Sequence, residues 1–153
     1  MNQYSAVIVG DGADGATLRE LAISRGLEDQ VHWVGRVDYE ELGSYYRACD
    51  VFVFPTLEDT WGVVVLEAMA FGKPILCSKH AGSKELIFDG ENGYIFDPRH
   101  PHELAELMAK FIREPGLGEK LGAKAKQVIS PYTPCHAAGV LALSVSTVLN
   151  AKH

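Results

Sequence analysis

Hydrophobic and polar positions along the chain follow two periods in turn. Short apolar or β-branched runs, each bounded by Gly, Pro or Asp, fall at residues 6–10, 31–34, 51–55, 74–78 and 93–96 and predict five strands. Helical spacing fills the intervals. Leu18, Leu21 and Ala22 share one face of a first helix, and Leu42, Tyr45, Tyr46 and Cys49 one face of a second. A third runs over 63–71 and stops at Gly72-Lys73-Pro74, a C-terminal glycine followed by proline. Leu104, Leu107, Met108, Phe111 and Ile112 recur at helical spacing, and residues 116–130 and 135–150 add two further helices. Strands alternating with helices predict an α/β fold: a Rossmann-like parallel sheet with helices on both faces, in one domain over 1–153.

Ligands on such sheets bind beyond the carboxyl ends of the strands. That selects the loops 10–15, 35–38, 55–62 and 78–85. The first reads Gly10-Asp11-Gly12-Ala13-Asp14-Gly15, a G-x-G-x-x-G between a strand and a helix, as a dinucleotide-binding fingerprint requires. The fingerprint also wants an acidic residue at the end of the next strand, roughly 20 residues on. That strand ends Trp33-Val34-Gly35-Arg36, with Asp38 only in the loop beyond. Asp11 and Asp14 would moreover repel a pyrophosphate. An NAD(P)-binding oxidoreductase domain is therefore the alternative here, and the glycines read better as a tight strand-to-helix turn at the rim of a site.

Composition narrows the class. Of 153 residues, 47% are hydrophobic and 22% charged, ordinary for a globular domain. The net charge of −6 argues against nucleic acid and against an anionic membrane surface. Three scattered cysteines, Cys49, Cys77 and Cys135, without a C-x-x-C pair, suggest neither a disulfide framework nor zinc, and point to a reduced, cytoplasmic setting. The first five residues lack the positive segment of a signal peptide. The apolar run from Gly139 onward reads as too short and too broken by Ser and Thr for stable membrane insertion.

The chemistry concentrates in Leu57-Glu58-Asp59-Thr60-Trp61-Gly62-Val63-Val64-Val65-Leu66-Glu67-Ala68-Met69-Ala70-Phe71-Gly72. Glu67 sits in mid-helix among Val63, Val64, Leu66, Ala68, Ala70 and Phe71, so it is expected to be buried, and a buried carboxylate needs donors or a cation. It either meets a ligand, caps a neighbouring loop or pairs with a buried Lys or Arg. Asp59, at the mouth of the helix, is either a ligand group or a helix-start residue favoured by the dipole. Thr60 to Val63 would present free backbone N–H groups at the positive helix end, and Gly62 lets a ligand approach closely. An anion on those groups and sugar hydroxyls on the two carboxylates would satisfy every member.

The stretch from Asp59 to Pro74 resembles the signature of the retaining glycosyltransferases of family 4, also called group 1, in which two Glu separated by seven residues precede Ala-x-Ala-x-Gly-x-Pro. Segments 7–12, 31–37, 48–55, 81–85 and 89–97 resemble family segments in the same order. The resemblance implies the GT-B fold, two Rossmann-like domains, of which this chain is similar to the C-terminal, donor-binding one. It implies a nucleotide-sugar donor, a UDP-, GDP- or ADP-sugar, with no cofactor and no metal, and transfer of the sugar to an acceptor hydroxyl with retention in the full-length enzyme. Asp59 and Glu67 would be the catalytic pair, Asp59 on the transferred sugar and Glu67 on the ribose hydroxyls. Thr60, Trp61, Gly62, Val63 and Val64 would contact sugar and diphosphate, and backbone at Arg36 and Val37 the nucleobase. Asp59 departs from the family's first Glu by one methylene, which bears on reach and donor choice.

The same resemblance implies that an earlier strand and helix with phosphate-binding Arg and Lys, and an N-terminal acceptor domain, are missing from this chain. The absent strand would lie between those at 6–10 and 51–55, so the sheet is expected either to close over the gap or to recruit another chain through exposed edges. The apolar residues 140–149 then mark either a lost interface or an ordinary core helix. The implied setting is cytoplasmic, with the full-length enzyme peripheral to the membrane at most. A third reading is a non-catalytic nucleotide-binding or interaction module, and this chain by itself is expected to be inactive. Lesser candidates are the His100/His102 pair, too small alone for a metal site; Lys79, Lys84 and His80 in the 78–85 loop; and Arg47 and Lys73, expected at the surface.

Overall fold

A computed structural model describes residues 4–150; the leader reading of the first residues, and the domain bounds at 1 and 153, lie in part outside them. The elements in order are β1 (Ala6–Val9), α1 (Gly15–Ser24), β2 (Val31–Gly35), α2 (Tyr39–Ala48), β3 (Phe52–Phe54), α3 (Val63–Ala70), β4 (Ile75–Ser78), a 3-10 turn (Gly82–Leu86), β5 (Gly93–Phe96), α4 (Pro101–Arg113), α5 (Leu117–Ile129) and α6 (Pro134–Asn150). Every predicted strand and helix is present within a few residues. The 3-10 turn is additional. The fold is α/β with parallel sheets flanked by helices, as expected.

Its contacts divide into two compact units, Met1–Tyr45 and Tyr46–His153. In the first, β1 and β2 pair in parallel, Ala6 with Val31 and Ile8 with Trp33, with a register shift before Val9 meets Gly35. The Gly10 N–H donates to the Gly35 carbonyl at 2.7 Å. No described residue of this unit is fully buried. Val7, Leu21 and Ile23 are each half exposed or more, so their apolar pattern faces outward.

The second unit holds the core. β3, β4 and β5 form a parallel sheet with β4 in the middle. All four residues of β4 are fully buried, which is why Ile75-Leu76-Cys77-Ser78 reads as a continuous apolar run rather than an alternation. β5 can approach because it starts at Gly93: a Cβ there would lie 2.1 Å from the Ile75 carbonyl oxygen. α3 buries Val65, Ala68 and Met69 and packs against α5, whose Leu121, Gly122, Ala125 and Ile129 are buried. Full burial of a side chain such as Val65 or Met69 contributes roughly 1.5–3 kcal/mol. The sheet does not close over the expected gap. Among the described residues β1 ladders only with β2 and β3 only with β4, because each strand finds its partner across its own crossover.

One of the two alternatives for the last helix is set aside. α6 has no buried residue, so it is not a core helix. α6 itself is 17 residues; the stretch Leu117–Asn150, which takes in α5 and the break at 130–133, is by length and composition alone long and apolar enough to cross a membrane. The Ser and Thr within α6 do not interrupt that helix. Ser144, Ser146 and Thr147 turn their hydroxyls onto carbonyls one turn back, at 2.8–3.0 Å, and so satisfy themselves within the helix.

Candidate functional site

Loop 55–62 leaves β3 and delivers the chain to the start of α3. Gly62 precedes the helix with φ 84°, ψ 63°, a left-handed conformation. A Cβ at Gly62 would also lie 2.7 Å from Phe54 Cε1. The loop is strapped to the next one. Asp59 N–H donates to the His80 carbonyl at 3.4 Å, Gly82 N–H to the Asp59 carbonyl at 3.1 Å, and Ser83 N–H to the Trp61 carbonyl at 2.6 Å. The two backbones are close enough that a Cβ on Gly82 would stand 2.1 Å from the Thr60 carbonyl oxygen.

The strap fixes which N–H groups face outward. Trp61 N–H is taken by Asp59 Oδ1 at 2.9 Å, so the expectation that it is free is corrected. Asp59 is thus a local turn former, as its position at the helix start allows. That bond engages one carboxylate oxygen and leaves Oδ2 for a ligand. The N–H groups of Gly62, Val63 and Val64 have no acceptor among the described residues. They sit at the positive end of α3, where an anion is stabilised by both hydrogen bonds and dipole. Val63 is 58% exposed and Trp61 39%, so this end is open to ligand.

Glu67 lies four residues beyond Val63, about 6 Å along the helix axis. It is half-buried rather than buried, since only Val65, Ala68 and Met69 of α3 face the core. Its partner is neither a Lys nor an Arg. The Tyr46 hydroxyl donates to Glu67 Oε2 at 2.8 Å. Glu67, Leu66 and Ala70 also line an open cleft of about 390 Å³ with Lys126, Ile129 and Tyr132. Asp59, Thr60, Trp61, Gly62, Val63, Val64 and Glu67 all lie in the second unit, residues 59–64 at the start of α3 and Glu67 on the side of α3 that lines this cleft. Arg36 and Val37 belong to the first unit, directly after β2, Arg36 exposed and Val37 half-buried.

The lysines of the 78–85 loop serve the loop. Lys79 Nζ pairs with Asp97 Oδ2 at 2.6 Å, and Lys84 Nζ donates to the Lys79 carbonyl at 2.7 Å. The Lys79 hydrogen bond, then the Arg99 N–H, hold the Asp97 carboxyl down at about 2. His80 Nε2 is buried without a hydrogen-bond partner, 3.9 Å from Asp97 Oδ1. His100 Nδ1 lies 3.5 Å from Asp97 Oδ2 and 3.4 Å from Glu103 Oε1. No described cluster of His, Cys, Asp and Glu could hold a metal ion. Lys73 Nζ donates to the Arg47 carbonyl, tying the end of α2 to the turn after α3. Burial pushes the thiols of Cys49 and Cys77 up, away from the reactive thiolate.

The opening glycines meet no steric demand, and only Gly10 meets a backbone one. A Cβ at Gly10, Gly12 or Gly15 would meet nothing within 4 Å, and only Gly10 has a left-handed φ, 123°. In a dinucleotide fingerprint the third glycine permits close helix–strand packing, and Gly15 has no such contact. Sequence reasoning missed Tyr46, which it placed only on an apolar helix face, and missed the strap at Gly82 and Ser83. A tyrosine at the first position of the second unit carries no spacing signal toward Glu67, 21 positions on.

Comparison with known proteins bears on the family and the fold. The family model for glycosyl transferases group 1 matches residues 1–128. A D-inositol 3-phosphate glycosyltransferase of Thermobifida fusca is 34% identical over 106 residues, which are 69% of this chain and 24% of that protein. An uncharacterized glycosyltransferase of Methanocaldococcus jannaschii is 28% identical over 130 residues, 85% of this chain and 37% of that protein. The chain thus spans between about a quarter and two fifths of these relatives. Among solved structures, Anabaena HepE in complex with UDP superposes with a TM-score of 0.83 at 26% identity, over 96% of this chain and 42% of that one. The same protein is also known in complex with UDP-glucose.

Proposed function

The chain belongs to the group 1 glycosyltransferase family, and from that premise we propose that it is a nucleotide-sugar donor-binding domain of a retaining, family 4 enzyme. The observation that carries the proposal is the start of α3, where three N–H groups without acceptors stand at a left-handed glycine, with Asp59 before them and Glu67 one turn inside. The diphosphate sits on the N–H groups of Gly62, Val63 and Val64. Asp59 Oδ2 and the backbone at Thr60 and Trp61 take the transferred sugar, and Glu67 accepts hydrogen bonds from the ribose diol. The chemistry lies in positioning the donor and stabilising the departing diphosphate, which is a matter of prearranged donors and dipole.

The neighbour complexes with UDP and UDP-glucose support a uridine donor as the first probe, with GDP- and ADP-sugars as the alternatives. Transfer to an acceptor hydroxyl, self-association through strand edges, and a cytoplasmic or membrane-peripheral setting belong to the same proposal. Titration calorimetry with UDP-glucose, a GDP-sugar, an ADP-sugar and NAD tests it. Binding of one sugar nucleotide, weakened at least tenfold in Glu67→Ala, is expected; binding of NAD alone would overturn it.

A further inference from the structure

Tyr46 is buried to 5% exposure, yet it carries a hydroxyl. A buried hydroxyl needs a partner, and this one donates to Glu67 Oε2 at 2.8 Å. Its ring cannot turn away. It stacks on Phe71 with centroids 5.5 Å apart and planes 25° apart, and it is tilted against Phe52 at 5.6 Å. Phe52 opens β3, the strand that leads into the Asp59 loop, and Phe71 is the residue that ends the helix bearing Glu67. The tyrosine is thus clamped between the two elements that build the site.

The consequence falls on the carboxylate. A half-buried Glu side chain has rotatable bonds and a carboxylate plane that turns freely unless an oxygen is held. The Tyr46 bond holds Oε2 and leaves Oε1 open. A vicinal diol needs a carboxylate presented in one orientation, because its two hydroxyls donate side by side. A charge-assisted hydrogen bond from a fixed ring supplies that orientation before any ligand arrives.

We propose that Tyr46 is the positioning residue for Glu67, holding the carboxylate turned toward the vicinal hydroxyls of a nucleotide's ribose. This rests on the placement of Glu67 at the ribose given above. It adds that ribose recognition depends on a residue outside α3, one that touches no ligand.

The test compares UDP with 2′-deoxy-UDP on the 153-residue chain by calorimetry, in the wild type, Tyr46→Phe, Glu67→Ala and the double variant. The wild type is expected to favour UDP about tenfold, the worth of one hydrogen bond to a charged group. Glu67→Ala erases that preference. Tyr46→Phe, which keeps the ring packing, erases most of it while 2′-deoxy-UDP binds as before and the thermal midpoint stays within a few degrees. In the Glu67→Ala background, Tyr46→Phe then changes neither affinity.

If Glu67→Ala erases the preference and Tyr46→Phe retains it, the role of Tyr46 is overturned while that of Glu67 stands. If Tyr46→Phe weakens both nucleotides equally, or fails to fold, or weakens UDP in the Glu67→Ala background too, the ring is structural and the proposal is likewise overturned. If the wild type shows no preference, or Glu67→Ala keeps it, the ribose assignment falls and takes the inference with it. The GDP and ADP pairs of ribo- and deoxyribonucleotides run in the same series, and binding of none of the three overturns both.

Discussion

Gly10, Gly12 and Gly15 stand in open space, whereas Gly62 and Gly82 stand where one added carbon would meet Phe54 or the Thr60 carbonyl. The first loop carries the more familiar string of letters. The second carries the steric demand. A glycine motif records which residues are present, but a site needs glycine only where backbone must come close to backbone or to a ligand. By that measure the opening loop is a turn, and the close backbone approach lies in the strapped pair of loops at 59–62 and 80–83.

Substitution can break this comparison. The largest effect is expected for Gly82→Ala, whose new carbon overlaps the Thr60 carbonyl, between the Asp59 and Trp61 carbonyls that the strap bonds. Loss of roughly 3 kcal/mol or more in urea unfolding, together with loss of UDP binding, should follow; a neutral Gly82→Ala would show that the strap yields. An intermediate effect concerns the anchor of the second loop. Asp97 is held at about 2, below the ordinary carboxylate value near 3.8, chiefly by Lys79. A depressed folded-state value means that its contribution is complete above about pH 4 and is lost as pH falls toward 2. Asp97→Asn should therefore flatten the fall in stability across that window and leave the slope above it unchanged, measured by thermal unfolding at stepped pH. The smallest effect is expected at Gly12→Ala. It should change stability by no more than about 0.5 kcal/mol, and a large loss there would return importance to the opening loop.

Much of this was legible beforehand. The order of strands and helices followed from period alone, and the stretch from Asp59 to Pro74 pointed to the family. What stayed hidden was relational. Asp59 and Trp61 lie two residues apart, but nothing in their identities says that the side chain of one takes the N–H of the other. Glu67 looked like a buried charge because its neighbours are apolar, yet an eight-residue helix turns only one side to the core. Tyr46 looked like core because its ring is core; only its oxygen is not. The outward apolar residues of β1, α1 and α6 were equally unreadable, since periodicity gives a face its character without saying what covers it.

The strap between the loops is made within the chain itself, before a ligand is present. Ordering a residue's backbone costs about 1–2 kcal/mol in entropy, and for residues 59–62 that loss is charged to folding. If the proposed donor docks at α3, it meets N–H groups already aimed. Its affinity then reports the contacts themselves rather than the freezing of a loop, which is the advantage of preorganisation, and association should proceed without a slow rearrangement at this end of the helix.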